Sequence, residues 1–299
     1  MSDNQHAMQR KTGAARFTTY DSNEPIKIVV PRYYGRALSA VVIAALIILV
    51  AHSMITNDNF AWPTVGKYFF SSSVLVGLWT TCWLTLVIMV LAIVLGVIIA
   101  VMRLSPNPIL VWAANAWIWF FRGTPVLVQL IFWYNLAALY PTVTLGVPGM
   151  TPFWQGSMND LITPWTAAIL GLGLNESAYM AEIIRAGISS VDDGQQEAAR
   201  ALGMNHKQYL KRIILPQATP FIIPPTGNQI IGMLKTTSLV SVISLSDLLY
   251  SVQSIYSRTY ENIPLLIVAC IWYLIVTTVL TMAQEHLEKI YRNGRKKSS

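Results

Sequence analysis

Apolar residues in this chain arrive in long blocks separated by short polar stretches. Blocks of that kind are what a helix crossing lipid needs, about 20 consecutive apolar residues per crossing. The pattern predicts six spans. The first runs from Ala37 to Ala51 or a little beyond, the second from Val74 to Met102, and the third from Pro125 to near Tyr140. The fourth runs from Trp165 to Ile184, the fifth from just after Pro216 to near Leu245, and the sixth from Pro264 to Met282. The stretch Pro108 to Phe121 is also apolar, but it runs straight into Arg122-Gly123-Thr124-Pro125. Its Trp112, Trp117 and Trp119 suit a water–lipid boundary, so it is assigned as an interfacial helix on the cytoplasmic side. One long span broken at Gly123-Thr124-Pro125 would instead bury Arg122 at a cost of several kcal/mol.

Composition agrees with a membrane protein. The 299 residues are 54% hydrophobic and 12% charged, with mean hydropathy +0.49. Soluble domains carry about 25% charged residues. The net charge of +7 raises nucleic acid as a partner, but the basic residues sit at the two ends and in the polar loops. Arg10, Lys11, Arg16, Lys27, Arg32 and Arg36 precede the first span, and Arg103 and Arg122 follow the second. Arg185, Arg200, Lys207, Lys211 and Arg212 follow the fourth, and Lys289, Arg292, Arg295, Lys296 and Lys297 follow the sixth. The alternate segments hold Lys67, none between Tyr140 and Trp165, and Arg258. That is the positive-inside pattern, and it places both termini in the cytoplasm. Tyr140, Trp62, Trp154 and Trp165 fit an outer aromatic belt. The polar opening of the chain predicts no cleavable signal peptide at the front.

Chemistry of other kinds finds little support. Cys82 and Cys270 fall in apolar segments and suit small buried hydrophobes. His6, His52, His206 and His286 are scattered and predict no metal site. No paired Asp, Ser/Lys or His-Glu-x-x-His arrangement supports an intramembrane enzyme. No Gly-x-x-x-x-Gly-Lys-[Ser/Thr] phosphate loop is present, since Gly66-Lys67 lacks both the preceding Gly and the Ser/Thr.

The polar loop between the fourth and fifth spans reads as two short helices. Asp192 and Asp193 favour a helix start. Ala198, Ala199, Ala201 and Leu202 give a small apolar face. Gly203 suits a left-handed helix end. Asn205 can cap a second helix carrying Lys207, Lys211 and Arg212, which Pro216 is expected to stop. A plain helical hairpin on the membrane surface would also satisfy these signals.

Gly194, Glu197, Ala198, Ala199, Gly203 and Pro216 resemble, at their spacing, the EAA loop of ABC-importer permeases. Three further blocks resemble the polar amino acid branch of that family: Phe121 to Gln129, Asn175 to Ile188, and Asn228 with Lys235 to Leu239. The resemblance covers roughly Gly77 to Glu285. It implies an all-α membrane protein with a five-span MetI-like core, to which the first span is an addition. The implied layout is a polar tail over residues 1–36, an extra span over 37–56, a permease domain over 74–285 with its coupling loop at 186–216, and a basic tail over 286–299. It also implies a transport subunit in a bacterial cytoplasmic membrane, not an enzyme. The expected partners are an ABC ATPase that binds ATP-Mg, a second permease identical or related, and an external amino acid-binding protein. No cofactor is expected in this chain itself.

The substrate path should hold polar groups that lipid would reject. Asn175, Glu176, Tyr179 and Glu182 lie in the fourth span, and Asn175, Tyr179 and Glu182 share one helical face. Counting about 1.5 Å per residue puts Glu176 near mid-membrane. It can meet a substrate α-ammonium or cationic side chain, or pair with a cation of the permease pair such as Lys235 or Arg185. Glu182 and Arg185, at i and i+3, favour a local ion pair. Lys235 either faces a substrate carboxylate or satisfies helix carbonyls, and Arg122 is expected to act as an anchor at the hinge. Pro220, Pro224 and Pro225 favour a bent or irregular start to the fifth span, with Asn228 supplying part of the missing backbone bonding. A secondary transporter driven by an ion gradient and a permease for another small polar solute are the competing functions.

Overall fold

The computed structural model describes residues 34–147 and 152–296. The polar tail before Tyr34, with His6, Arg10, Lys11, Arg16, Lys27 and Arg32, lies outside them, as does Lys297. The chain divides at Thr56 into two units. In the first unit, α1 (Tyr34–Thr56) is the extra N-terminal helix, and its apolar side chains are exposed.

The second unit is nearly all helical. A short 3-10 turn and α2 (Trp62–Phe69) lead into α3 (Ser72–Arg103). Then come α4 (Pro108–Gly123), α5 (Val126–Tyr134) and the single turn α6 (Leu136–Leu139). A small antiparallel hairpin follows, β1 (Thr142–Leu145) and β2 (Trp154–Ser157), with Thr142 opposite Ser157. After α7 (Met158–Leu161) comes α8 (Pro164–Ser189), then the short α9 (Asp193–Ala201) and α10 (His206–Tyr209). A π-type turn at Leu210–Ile214 joins α10 to α11 (Leu215–Thr236), which tightens into a 3-10 stretch to Ile243. The chain closes with α12 (Leu248–Thr259) and α13 (Asn262–Lys296).

By length and composition, Leu38–Thr56, Ser72–Arg103 and Asn262–Ile290 are each apolar enough to cross a membrane. Two bent pairs, α4 with α5 and Lys207–Ile243 with α12, raise that number to five among the described residues. At 26 residues α8 is long enough as well, but its polar residues keep it from the apolar criterion.

The helices α3 and α8 pair most extensively. Leu84, Ile88, Met89 and Ala92 of α3 meet Ala167, Ala168, Leu172 and Met180 of α8, and Leu130 of α5 and Met233 of α11 join them. Gly96 permits the closest approach: a Cβ there would stand 2.6 Å from Met180 Cβ and 3.1 Å from the Ala181 backbone nitrogen. A second core unites α2, α12 and α13 through Val65, Leu248, Val252, Leu265 and Val268.

Four expectations need correcting. The third span is not one helix from Pro125 to Tyr140. It breaks at Asn135, the C-cap of α5, whose backbone N–H (3.0 Å) and side-chain amide (2.8 Å) both donate to the Ile131 carbonyl. α8 runs on to Ser189, so the stretch assigned to the coupling loop from residue 186 opens with the last turn of that helix. Pro216 stops nothing: it sits in the first turn of α11, where its missing N–H is tolerated. The irregularity falls just upstream, in the π-type turn, while Pro220, Pro224 and Pro225 lie inside a continuous helix. Asn228 does not donate to the proline-rich backbone. Gln284 of α13 does, reaching the Pro224 carbonyl (3.1 Å) and the Asn228 Oδ1 (3.2 Å).

Filling the close contact at Gly96 should be felt. Gly96→Val is expected to destabilise the purified chain by about 1–3 kcal/mol through overpacking. Gly66→Ala, with open space around it, should not. Denaturant unfolding in detergent followed by helical signal measures both.

Candidate substrate cavity and coupling loop

Pro125 has no N–H, so a helix passing through it leaves the Phe121 carbonyl without its normal donor. The chain turns by 99° there, between α4 and α5. Two buried amides satisfy the break. Asn175 Nδ2 donates to the Phe121 carbonyl (2.6 Å), and Gln129 Nε2 donates to the same oxygen (3.1 Å). Gln129 Nε2 also reaches the Thr124 carbonyl (3.2 Å) and Oγ1 (2.6 Å). The two amides meet at 3.3 Å, Asn175 Nδ2 to Gln129 Oε1.

One residue further along α8, Glu176 faces a cavity of about 230 Å³. Val126, Asn175, Tyr179, Gln229, Gly232, Met233 and Thr236 complete its wall. Glu176 is buried, and among the described residues its Oε1 finds no hydrogen-bond partner. Neither cation weighed as its partner reaches it within the chain. Arg185 binds Glu182, and Lys235 lines a different groove with Ser238, Cys270, Tyr273, Leu274 and Thr277. A larger cavity of about 740 Å³ lies towards the coupling loop. Its lining of Ile93, Val97, Met180, Ile184, Ile214 and Ile222 is apolar, with only Ser105, Tyr209 and Thr226 as side-chain polar groups. A zwitterion would be poorly solvated there.

Two turns down α8, Glu182 gathers three guanidinium groups. It pairs with Arg103 of α3, with Arg185 Nε at 3.0 Å, and more loosely with Arg122 Nη1 at 3.9 Å. Arg122 also lies over the Tyr179 ring, 5.1 Å from its centre. The local Glu182–Arg185 pair expected from the spacing is therefore present, inside a larger knot that ties α3, α4 and α8. Of the six substrate-path candidates, the structure brings Asn175, Glu176 and Tyr179 together at one cavity. Glu182 lies just below it, and Asn228 and Lys235 face α13.

Sequence reasoning missed Gln129, Arg103, Ser177 and Asp247. Gln129 was signalled by Pro125, which orphans a carbonyl that needs a nearby donor. Ser177 accepts from Trp117 Nε1 (3.1 Å), so this tryptophan packs on α8, whereas Trp112 (72% exposed) and Trp119 (76%) do not pack within the chain. Asp247 is fully buried and caps α12, accepting from Leu249 N (3.2 Å) and Tyr250 N (2.8 Å). Its place before an apolar run was a cap signal.

The coupling loop follows its local code. Asp192 accepts from Gly194 N (2.8 Å) at the start of α9. Gly203 adopts φ +71 at its end, a conformation that favours glycine. Asn205 and Gln208 cap α10 reciprocally, at 2.9 and 3.1 Å. Ala199 is buried, whereas Gly194, Glu197, Ala198, Gly203, Pro216 and Leu202 (80%) stay exposed.

Residues 92–293 match the family described as binding-protein-dependent transport system inner membrane component. The chain belongs to that family. It is 44% identical over 274 residues to the arginine transport system permease protein ArgU of Corynebacterium glutamicum, covering 91% of this chain and 84% of the relative. The nopaline transport system permease protein NocM of Agrobacterium fabrum is 37% identical over 202 residues, 68% of this chain and 80% of the relative. Among solved structures, an amino acid ABC transporter crystallised with histidines is 36% identical with a TM-score of 0.64, covering 76% of this chain and 96% of that one. The MetNI methionine transporter, at 18% identity and TM-score 0.57, shares the fold. The chain is a transport component with several apolar helices, as its family requires.

The Glu182 knot should carry measurable stability. Glu182→Gln leaves three arginines facing one another and is expected to cost about 2 kcal/mol, between the values for exposed and buried pairs. Arg185→Gln, which leaves the Arg103 pair in place, should cost less. Thermal unfolding of the two variants side by side measures the order.

Proposed function

We propose that this chain is the permease through which an ABC importer moves a basic amino acid across the cytoplasmic membrane. The observation that carries this reading is Glu176. A buried carboxylate facing a cavity with an oxygen left unbonded is costly unless a cation meets it or it takes up a proton. A guanidinium or ammonium supplies that charge, and the arginine permease relative names a solute with the right chemistry. Tyr179 and Asn175 shape the rest of the wall. Glu182, Asn228 and Lys235 stand on the path's flanks as positioning groups.

Transport is driven from outside this chain. Exposed Glu197, Ala198 and Leu202 on α9 offer a docking face to an ATPase subunit, which binds ATP-Mg and hydrolyses it. Nucleotide-driven closure of that partner pushes α9 and alternates the access of the Glu176 cavity. A second permease and an external binding protein complete the assembly. The chain crosses six times, with α8 as the polar crossing, and the basic ends lie in the cytoplasm. It carries no resident cofactor.

Two experiments test this. Affinity purification from the native membrane should recover a nucleotide-binding subunit whose ATP hydrolysis rises with arginine and the binding protein. Recovery of this chain alone, with ion-driven uptake that persists without ATP, would favour a secondary transporter. In the assembled complex, Glu176→Gln should cut arginine uptake at least tenfold, about 1.4 kcal/mol or more of lost interaction. Normal uptake with normal assembly would remove Glu176 from the path.

A further inference from the structure

The cavity wall and the α4–α5 elbow are bonded to each other. Asn175 lines the cavity beside Glu176, and its amide nitrogen is committed to the Phe121 carbonyl and to Gln129. Gln129, on the α5 side, reaches back across the break to the Phe121 carbonyl and to Thr124 at the end of α4. Tyr179, on the same wall, lies under Arg122, the residue after Phe121. Val126, the first residue of α5, also faces the cavity. The cavity therefore meets α5 directly through Val126 and α4 through the bonds of Asn175 and Tyr179 to it.

An elbow of this kind has few fixed points. Pro125 removes the helical bond that would otherwise lock Phe121, and nothing within 4 Å crowds Gly123. The backbone can pivot there unless side chains hold it. Two amides do so, and both are buried. A buried amide that loses its partner leaves unsatisfied groups behind, so the arrangement is all-or-none: both amides bonded across the break, or neither.

We propose that the Gln129–Asn175 pair is a positioning clasp. It sets the α4–α5 angle against the cavity wall, so that occupation of the cavity and movement of α4 are linked. Asn175 then acts through the Phe121 carbonyl and is not a group that selects the substrate. The clasp rests on the reading of the cavity as the substrate site. Its own geometry is testable apart from that reading.

The test uses the full complex in sealed proteoliposomes, with ATPase, binding protein and arginine as the probe. Spin labels replace the exposed Trp112 on α4 and Phe132 on α5, after Cys82→Ser and Cys270→Ser. Without arginine, the unmodified clasp should give one narrow distance. Asn175→Leu, Gln129→Leu and the isosteric Asn175→Asp should each broaden it. With arginine, the ATP hydrolysed per arginine imported should rise about threefold in each variant. The double variant Gln129→Leu/Asn175→Leu should rise no further, because one clasp can be opened only once. Narrow distances and an unchanged ATP-to-arginine ratio, with only a lower melting temperature, would overturn the clasp and leave two structural amides. Additive effects in the double variant would overturn it as a unit. If Glu176→Gln imports arginine normally while the clasp variants still broaden the elbow, the link to the cavity falls and the clasp itself stands.

Discussion

A polar helix can exist inside a membrane protein only where its neighbours satisfy it, and everything else here is arranged around that demand of α8. In lipid no water is at hand to bond an orphaned amide or carboxylate. α8 carries Asn175, Glu176, Ser177, Tyr179, Glu182 and Arg185 within three turns. α3 brings Arg103 to Glu182 and packs its apolar length along the rest. α4 brings Trp117 to Ser177 and the Phe121 carbonyl to Asn175. α5 brings Gln129. α3, α4 and α5 are therefore each fixed to α8 by a polar bond as well as by packing. Among the described residues, Glu176 Oε1 is the one fully buried side-chain oxygen of α8 left without a bond, and the cavity opens in front of it.

That division gives the structure its functional logic. The satisfied groups hold helices in register, and the unsatisfied one faces empty space lined by polar residues. On the proposed reading, a substrate cation in this space would complete the bonding of α8, so binding energy would be gained where the protein alone leaves it unrealised. Because Asn175 and Tyr179 share the wall with Glu176 and touch α4, that gain would be felt at the elbow. The coupling loop lies directly after α8 in the chain, with Val191, Ile214 and Ala218 packed as its own small core. α8 thus runs from the cavity to the surface proposed for the ATPase.

Local features were legible in the sequence, and long-range ones were not. Asp192, Gly203 and Asn205 act on residues two to four positions away, and each does what its type predicts. Glu176 stood out because an ionisable residue inside an apolar block is expensive. The partner of Glu182 was only half visible. Arg185 is three residues away, but Arg103 comes from another helix. Lys235 and Asn228 were polar residues in a span, like Glu176, yet they face α13. Nothing in their own positions along the chain says which side of α11 meets which neighbour. The third span failed for a subtler reason. Asn135 ends α5 by bonding its own helix, an option hydropathy does not register.

The most direct measurement is a cryo-EM structure of the assembled importer with arginine bound. The account predicts density for the guanidinium within hydrogen-bonding distance of Glu176 Oε1, with Tyr179 and Asn175 beside it and Phe121 still held by Asn175 Nδ2. A lysine or arginine of the second permease in that place, or arginine seated elsewhere while Glu176 keeps its cavity to itself, would contradict it.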